Sequence, residues 1–127
     1  MNQREARILT DASDADDADL LAAVLRQPGI SGHLTVVLRE GSHGCLATGG
    51  PLTDDVVHIP APVIGAVIDT TGAGDTHTGV LLARLARGES LTAALTAATD
   101  AASASVTTSG SATAPTSDTT EETPPCQ

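Results

Sequence analysis

Apolar and polar positions along this chain recur with two periods, one helical and one strand-like. Between Asp16 and Arg26, Leu20, Leu21, Val24 and Leu25 fall on one side of a helix that Pro28-Gly29 would stop. Leu34 to Leu38 is a short β-branched apolar run suited to a buried strand. Gly41 to Gly44 predicts a turn and Cys45 to Thr48 a returning strand. Gly49-Gly50-Pro51 predicts another turn, followed by a third strand over Val56 to Ile59 that Pro60-Ala61-Pro62 closes. Val63 to Ile68 is a further apolar run, expected to be a strand. The helical period returns from Thr78 to Arg87, with Leu81, Leu82 and Leu85 on one face and Gly88 as its stop. Ser90 then caps a helix from Leu91 to about Ser105, with Leu91, Leu95, Ala98 and Ala102 as its buried face. At the start, Asn2 to Thr10 reads as the end of a strand followed by the first turn of a helix. Residues 117–127 read as a disordered tail. This order fits one half of an α/β layer.

Between the run ending at Ile68 and the helix lies Asp69-Thr70-Thr71-Gly72-Ala73-Gly74-Asp75. Two glycines one residue apart let the backbone turn sharply and approach a ligand. A helix N-terminus directed at such a turn attracts anions, phosphate above all. Asp75 stands where a carboxylate is electrostatically welcome. Spacing alone leaves two readings open, a helix-capping Asp75 and a phosphate site with Asp75 as proton acceptor. Two other phosphate motifs are excluded: His77 occupies the position of the third Rossmann glycine, and a chain without lysine has no Walker loop.

Composition narrows the classes. The 127 residues include 16 acidic and 6 basic side chains, all the latter arginine, and the net charge is −10. No nucleic-acid footprint is present. Asp11, Asp14, Asp16, Asp17 and Asp19 form an acidic stretch that reads as a solvated loop entering a helix. Without Phe, Tyr or Trp, the core must be aliphatic. Cys45 and Cys126 read as free thiols in a reducing cytoplasm. No apolar run approaches the about 20 residues that span a bilayer. His33, His43, His58 and His77 share no metal-ligand spacing, and for His77 packing or solvation outweighs a phosphate contact. No Gly-x-Ser-x-Gly elbow supports serine hydrolase chemistry.

The heptapeptide closely resembles the C-terminal signature of the ribokinase, or PfkB-type, carbohydrate kinase family. Three other stretches fit that family in the same order: Asn2-Gln3-Arg4-Glu5, Arg39-Glu40-Gly41-Ser42-His43-Gly44, and Val106 to Thr116. The resemblance implies an α/β fold, a partial ribokinase-like (Rossmann-like) three-layer domain over residues 1–116 whose N-terminal strands and lid are missing. It implies ATP and Mg2+, with a monovalent cation such as K+, and a sugar or nucleoside hydroxyl as acceptor. By resemblance, Asp75 is the catalytic base and Gly72, Ala73 and Gly74 form the anion hole. Asn2, Arg39, Gly41 and Gly44 serve the nucleotide phosphates, and Thr99, Val106 and Gly110 the base. Glu5 serves magnesium, and Asp69 and Thr71 the monovalent cation.

Two departures accompany the resemblance. Thr99 stands where the family commonly has asparagine, and offers one hydroxyl in place of an amide. Thr108 stands where many members carry a basic or differently shaped residue. Because the sugar-gripping part is absent, a strand such as Leu34 to Leu38 or Val63 to Ile68 is expected to become a sheet edge that a second copy or a complementing chain would cover. Alternatives to a kinase region are a non-catalytic nucleotide-binding remnant, a partner subunit, or a gene fragment. The expected setting is cytoplasmic, without membrane or nucleic-acid partners.

Overall fold

Side-chain alternation along three strands sorts the molecule into layers. A computed structural model describes residues 1–30 and 32–107. Strands β1 (Val36–Arg39), β2 (Cys45–Gly49) and β3 (Thr53–Ile59) form an antiparallel sheet in the order β1-β2-β3. Val36 and Leu38 pack with Ala6 of α1 (Gln3–Thr10) and with Leu20, Leu21 and Val24 of α2 (Asp17–Leu25). On the other face, Cys45, Ala47 and Ile59 pack with Leu81 of α3 (Ala73–Ala86) and with Leu91, Ala94, Leu95 and Ala98 of α4 (Leu91–Ser105). The result is a three-layer α/β/α arrangement. A sheet covered on both faces needs apolar residues at successive positions, and Val36-Val37-Leu38 supplies them.

Caps set most helix boundaries. Asn2 accepts the Glu5 N–H at 2.8 Å, while Glu5 accepts the Asn2 N–H at 2.8 Å, a reciprocal capping box that starts α1. This cap extends the N-terminal helix to Thr10, well past the single turn expected from the mixed sequence. Asp16 and Ser90 cap α2 and α4. Gly88 ends α3 with φ +82°, its N–H donating to the Leu85 carbonyl while Glu89 N–H reaches Arg84.

Three expectations are corrected. The third helix begins at Ala73, not Thr78, because its first turn is polar and shows no apolar period. Leu82, placed on the buried face, is exposed; Leu81 is buried as expected, and His77 is buried with it. Val63 to Ile68 is not a strand. Val63, Val67 and Ile68 are exposed, and a strand requires a paired neighbour for its backbone groups. Ile68 and Asp69 instead donate their N–H groups to the Val106 carbonyl, at 2.8 and 3.2 Å.

The outer side of β1 carries one parallel bridge, Asn2 to Arg39, with Arg39 N–H donating to the Met1 carbonyl at 2.9 Å. The Met1 amino group also donates to the Val37 carbonyl at 2.9 Å, so the chain start covers part of this edge. No helix of the described residues is long and apolar enough to cross a membrane. The expected boundary at 116, the tail, Cys126, Thr108 and Gly110 lie outside the described residues.

Candidate functional site

The start of α3 differs chemically from the other helix starts. Its N-cap is Gly72, at φ 81° and ψ −1°, which supplies no side chain to its first turn. Glycine adopts this left-handed conformation without the Cβ conflict that other residues incur. The Ala73 N–H reaches the Thr70 carbonyl at 3.3 Å. The N–H groups of Gly74 and Asp75 have no acceptor among the described residues. Upstream, the Asp69 carboxylate accepts the Thr71 N–H at 2.8 Å, shaping the approach.

Arg39, at the end of β1, brings its guanidinium against Gly74. Among the described residues no carboxylate pairs with it. A helix N-terminus carries about half a positive charge. A cation and a positive helix end therefore face each other, in a chain of net charge −10. Asp75 in the same turn offsets part of that charge, and an anion between Arg39 and the first-turn amides would offset more.

They face a cavity of about 720 Å³, within the size range of nucleotide and cofactor pockets. One wall is Asn2, Arg39, Gly41, Ser42 and Gly44; another is Ala73, Gly74 and His77; Thr99, Ala102, Ser103 and Val106 come from α4 and its end. Ala61 and Pro62, with Val63, Ile64, Gly65 and Val67 of the run that was expected to be a strand, supply the apolar side. The Gly41–Gly44 turn is tight. Glu40 N–H donates to the Gly44 carbonyl at 2.8 Å, and Gly44 has φ +100° with its α-carbon packed on the Ile59 carbonyl. A side chain at Gly44 has no room.

Beneath the cavity, His77 is 5% exposed. Its Nε2 lies 3.4 Å from the Thr99 hydroxyl, which lies 3.6 Å from the Cys45 sulfur. Burial, then Arg39 and the terminal amino group, lower the His77 pKa to about 4, so the ring is neutral. Burial pushes the Cys45 thiol up. The Thr99 oxygen thereby contacts Cys45 and His77 inside the protein, while Thr99 also lines the cavity. Beside the turn, Glu40 is buried, with His58 Nε2 3.7 Å away. Burial and the Asp17 carboxyl raise the Glu40 pKa.

Of the residues singled out from sequence, Asn2, Arg39, Gly41, Gly44, Ala73, Gly74, Thr99 and Val106 meet around this one cavity. Gly72 and Asp75 flank it on the α3 turn, with Asp75 exposed. Glu5, Asp69 and Thr71 do not line it. His77 was the residue undervalued in sequence. Its burial in a wall three residues past Gly74 follows from helical spacing once the helix is known to start at Ala73.

Comparison with known proteins gives the family. The pfkB family carbohydrate kinase model matches residues 1–118. The bifunctional protein HldE of Nitrobacter hamburgensis is 32% identical over 111 residues, spanning 87% of this chain and 22% of that protein. Ribokinase of Cryptococcus neoformans var. grubii, solved with ADP, superposes with a TM-score of 0.76 at 27% identity, over 91% of this chain and 39% of that one. Arabidopsis thaliana ribokinase, solved with ribose and ATP, superposes with a TM-score of 0.75 at 27% identity, over 86% of this chain and 34% of that one. The chain thus spans about a fifth of the curated relative and little more than a third of these kinases. With the family model covering nearly all of it and the fold matching the same kinases, this chain belongs to the pfkB family of carbohydrate kinases.

Proposed function

We propose that this chain is the nucleotide-holding part of a phosphotransferase that moves the ATP γ-phosphate to a sugar or nucleoside hydroxyl. The observation that carries this reading is the positive pole, with Arg39 set against a first turn of α3 that no side chain caps, in a nucleotide-sized cavity. Phosphate is the anion that backbone amides and a guanidinium hold together. In this reading the Gly72–Gly74 backbone stabilises charge on the transferred group and Asp75 takes the acceptor's proton. Exposure of Asp75 leaves it open to an incoming hydroxyl.

Magnesium would arrive with the nucleotide. Among the described residues no group of three or more His, Cys, Asp or Glu is placed to hold a metal by protein ligands alone. Mg2+ ordinarily needs only one or two carboxylates besides phosphates and water. Glu5 would serve it through water, using the carboxylate oxygen that the Asn2 N–H leaves unbound. A monovalent cation would rest near Asp69 and Thr71. The setting we propose is cytoplasmic.

A second reading has its own support. This segment spans about a third of its structural relatives; in this reading it binds nucleotide without itself turning over sugar, and the remaining contacts come from another segment or a second copy. Calorimetric titration of the chain with MgATP tests the shared core of both readings. Saturable binding that is lost in Gly74→Val supports it, and absence of binding to the folded wild-type chain overturns it.

A further inference from the structure

Resting on the nucleotide reading, we propose that His77 is a further binding residue of the cavity, one that takes up a proton when a phosphate group enters.

The geometry comes first. His77 forms part of the cavity wall, yet it is almost wholly buried. It lies on α3 one turn beyond Gly74, so a phosphate held on the first-turn amides would stand near the ring. The Cys45–Thr99–His77 chain runs inward from it, with spacings of 3.6 and 3.4 Å. Each hydrogen atom in that chain can point either way. With the ring neutral, the Thr99 hydroxyl donates to Nε2 and accepts from the thiol. With the ring protonated, Nε2–H donates to Thr99, whose hydroxyl turns to the sulfur. Protonation therefore reverses the chain without breaking it, and the proton comes from the buffer.

Burial and the surrounding charges together decide when that happens. From β1, Arg39 faces the ring, joined by the terminal amino group. From β2 comes the Cys45 thiol, kept protonated by its burial. From α4 come Thr99 and Ser103, neither charged. On α3 itself Asp75 lies in the exposed first turn. The cavity stretch from Ala61 to Val67 has no titratable side chain. Burial is the largest cause that lowers the His77 pKa to about 4, and the charges that add to it, Arg39 and the terminal amino group, are positive; a polyphosphate beside Arg39 offsets that added part. Binding should then strengthen as the pH falls, by roughly tenfold for each unit by which the ligand raises the ring's pKa.

Histidine ring resonances of the full chain, titrated with acid in the presence and absence of MgADP, test this, with His77→Gln identifying the signal. The expected result is a His77 resonance that titrates near 4 alone and well above that with MgADP. Calorimetry in two buffers of different ionisation heat should show proton uptake in the wild type that exceeds the uptake in His77→Gln. Saturable MgADP binding with an unmoved His77 titration overturns the proposal and leaves the nucleotide reading standing. No MgADP binding at either end of the titration overturns both.

Discussion

Arg39 and Gly74 touch across the mouth of the cavity, so closely that a β-carbon on Gly74 would stand 2.5 Å from Arg39 Nη1. The obstacle is the far end of a flexible side chain, which can swing away. Backbone at Gly74 has no left-handed requirement. Gly74→Val is therefore expected to fold with a stability change under about 1 kcal/mol, yet to lose the thermal shift with MgATP, because the new side chain fills the anion position. A valine variant that unfolds, or one that keeps the full shift, contradicts this.

Gly44 is the opposite case. A β-carbon there would collide with the Ile59 carbonyl, which is sheet backbone, at a φ of +100°. Gly44→Ala should cost about 3 kcal/mol or more, from backbone strain and displacement of β3. Urea unfolding of wild type and variant measures it, and a loss under about 1 kcal/mol would refute the tight-turn account.

The Asp75 carboxylate has no role in packing, being exposed. Asp75→Asn should leave stability and MgADP affinity nearly unchanged. In a complete kinase carrying this segment, the same change should lower sugar-dependent ADP release by about 10²-fold or more. The isolated chain should release little or no ADP whatever the sugar. Robust turnover from it would remove the case for a complementing polypeptide.

Asn2 and Glu5 separate capping from metal binding. Asn2→Ala removes an N-cap acceptor and should cost about 1 kcal/mol. Glu5→Gln keeps an amide oxygen for the Asn2 N–H, so stability should hold within about 0.5 kcal/mol. If Glu5 serves magnesium, Glu5→Gln should still reduce the Mg2+ dependence of nucleotide binding. Equal Mg2+ dependence in both chains would confine Glu5 to capping.

Stability should respond to pH through two opposed groups. The folded pKa of His77 is depressed from 6.5 to about 4. Its contribution is present above pH 6.5 and is lost as pH falls towards 4, by about 3 kcal/mol at most. Glu40 has a raised folded pKa, so its contribution is present below its ordinary 4.5 and is lost as pH rises through the raised value. Accordingly, His77→Gln should flatten the acid limb of a denaturant–pH series, and Glu40→Gln should help stability more at pH 7 than at pH 4. An unchanged acid limb in His77→Gln would contradict the neutral buried ring.

Much of the layer structure was legible along the chain. The period of Leu20, Leu21 and Val24 placed α2, and Ser90 and Gly88 marked helix ends through local backbone chemistry. The hairpin of β1 and β2 followed from Gly41 to Gly44 between two short apolar runs. Val63 to Ile68 misled because an apolar run does not say whether a neighbouring strand is there to pair with it. The polar first turn of α3 hid five residues of helix, and with them the inward place of His77.

Sequence alone determined most of the elements, the aliphatic character of the core and the signature turn, because these depend on residues close together along the chain. Tertiary structure alone decided that Arg39 would face an uncapped helix end, that Thr99 would spend its hydroxyl on His77 and Cys45, and that an unpaired apolar stretch would wall a cavity. Those outcomes depend on distances between segments far apart in the chain, which packing of the two helical layers on the sheet sets and no local pattern records.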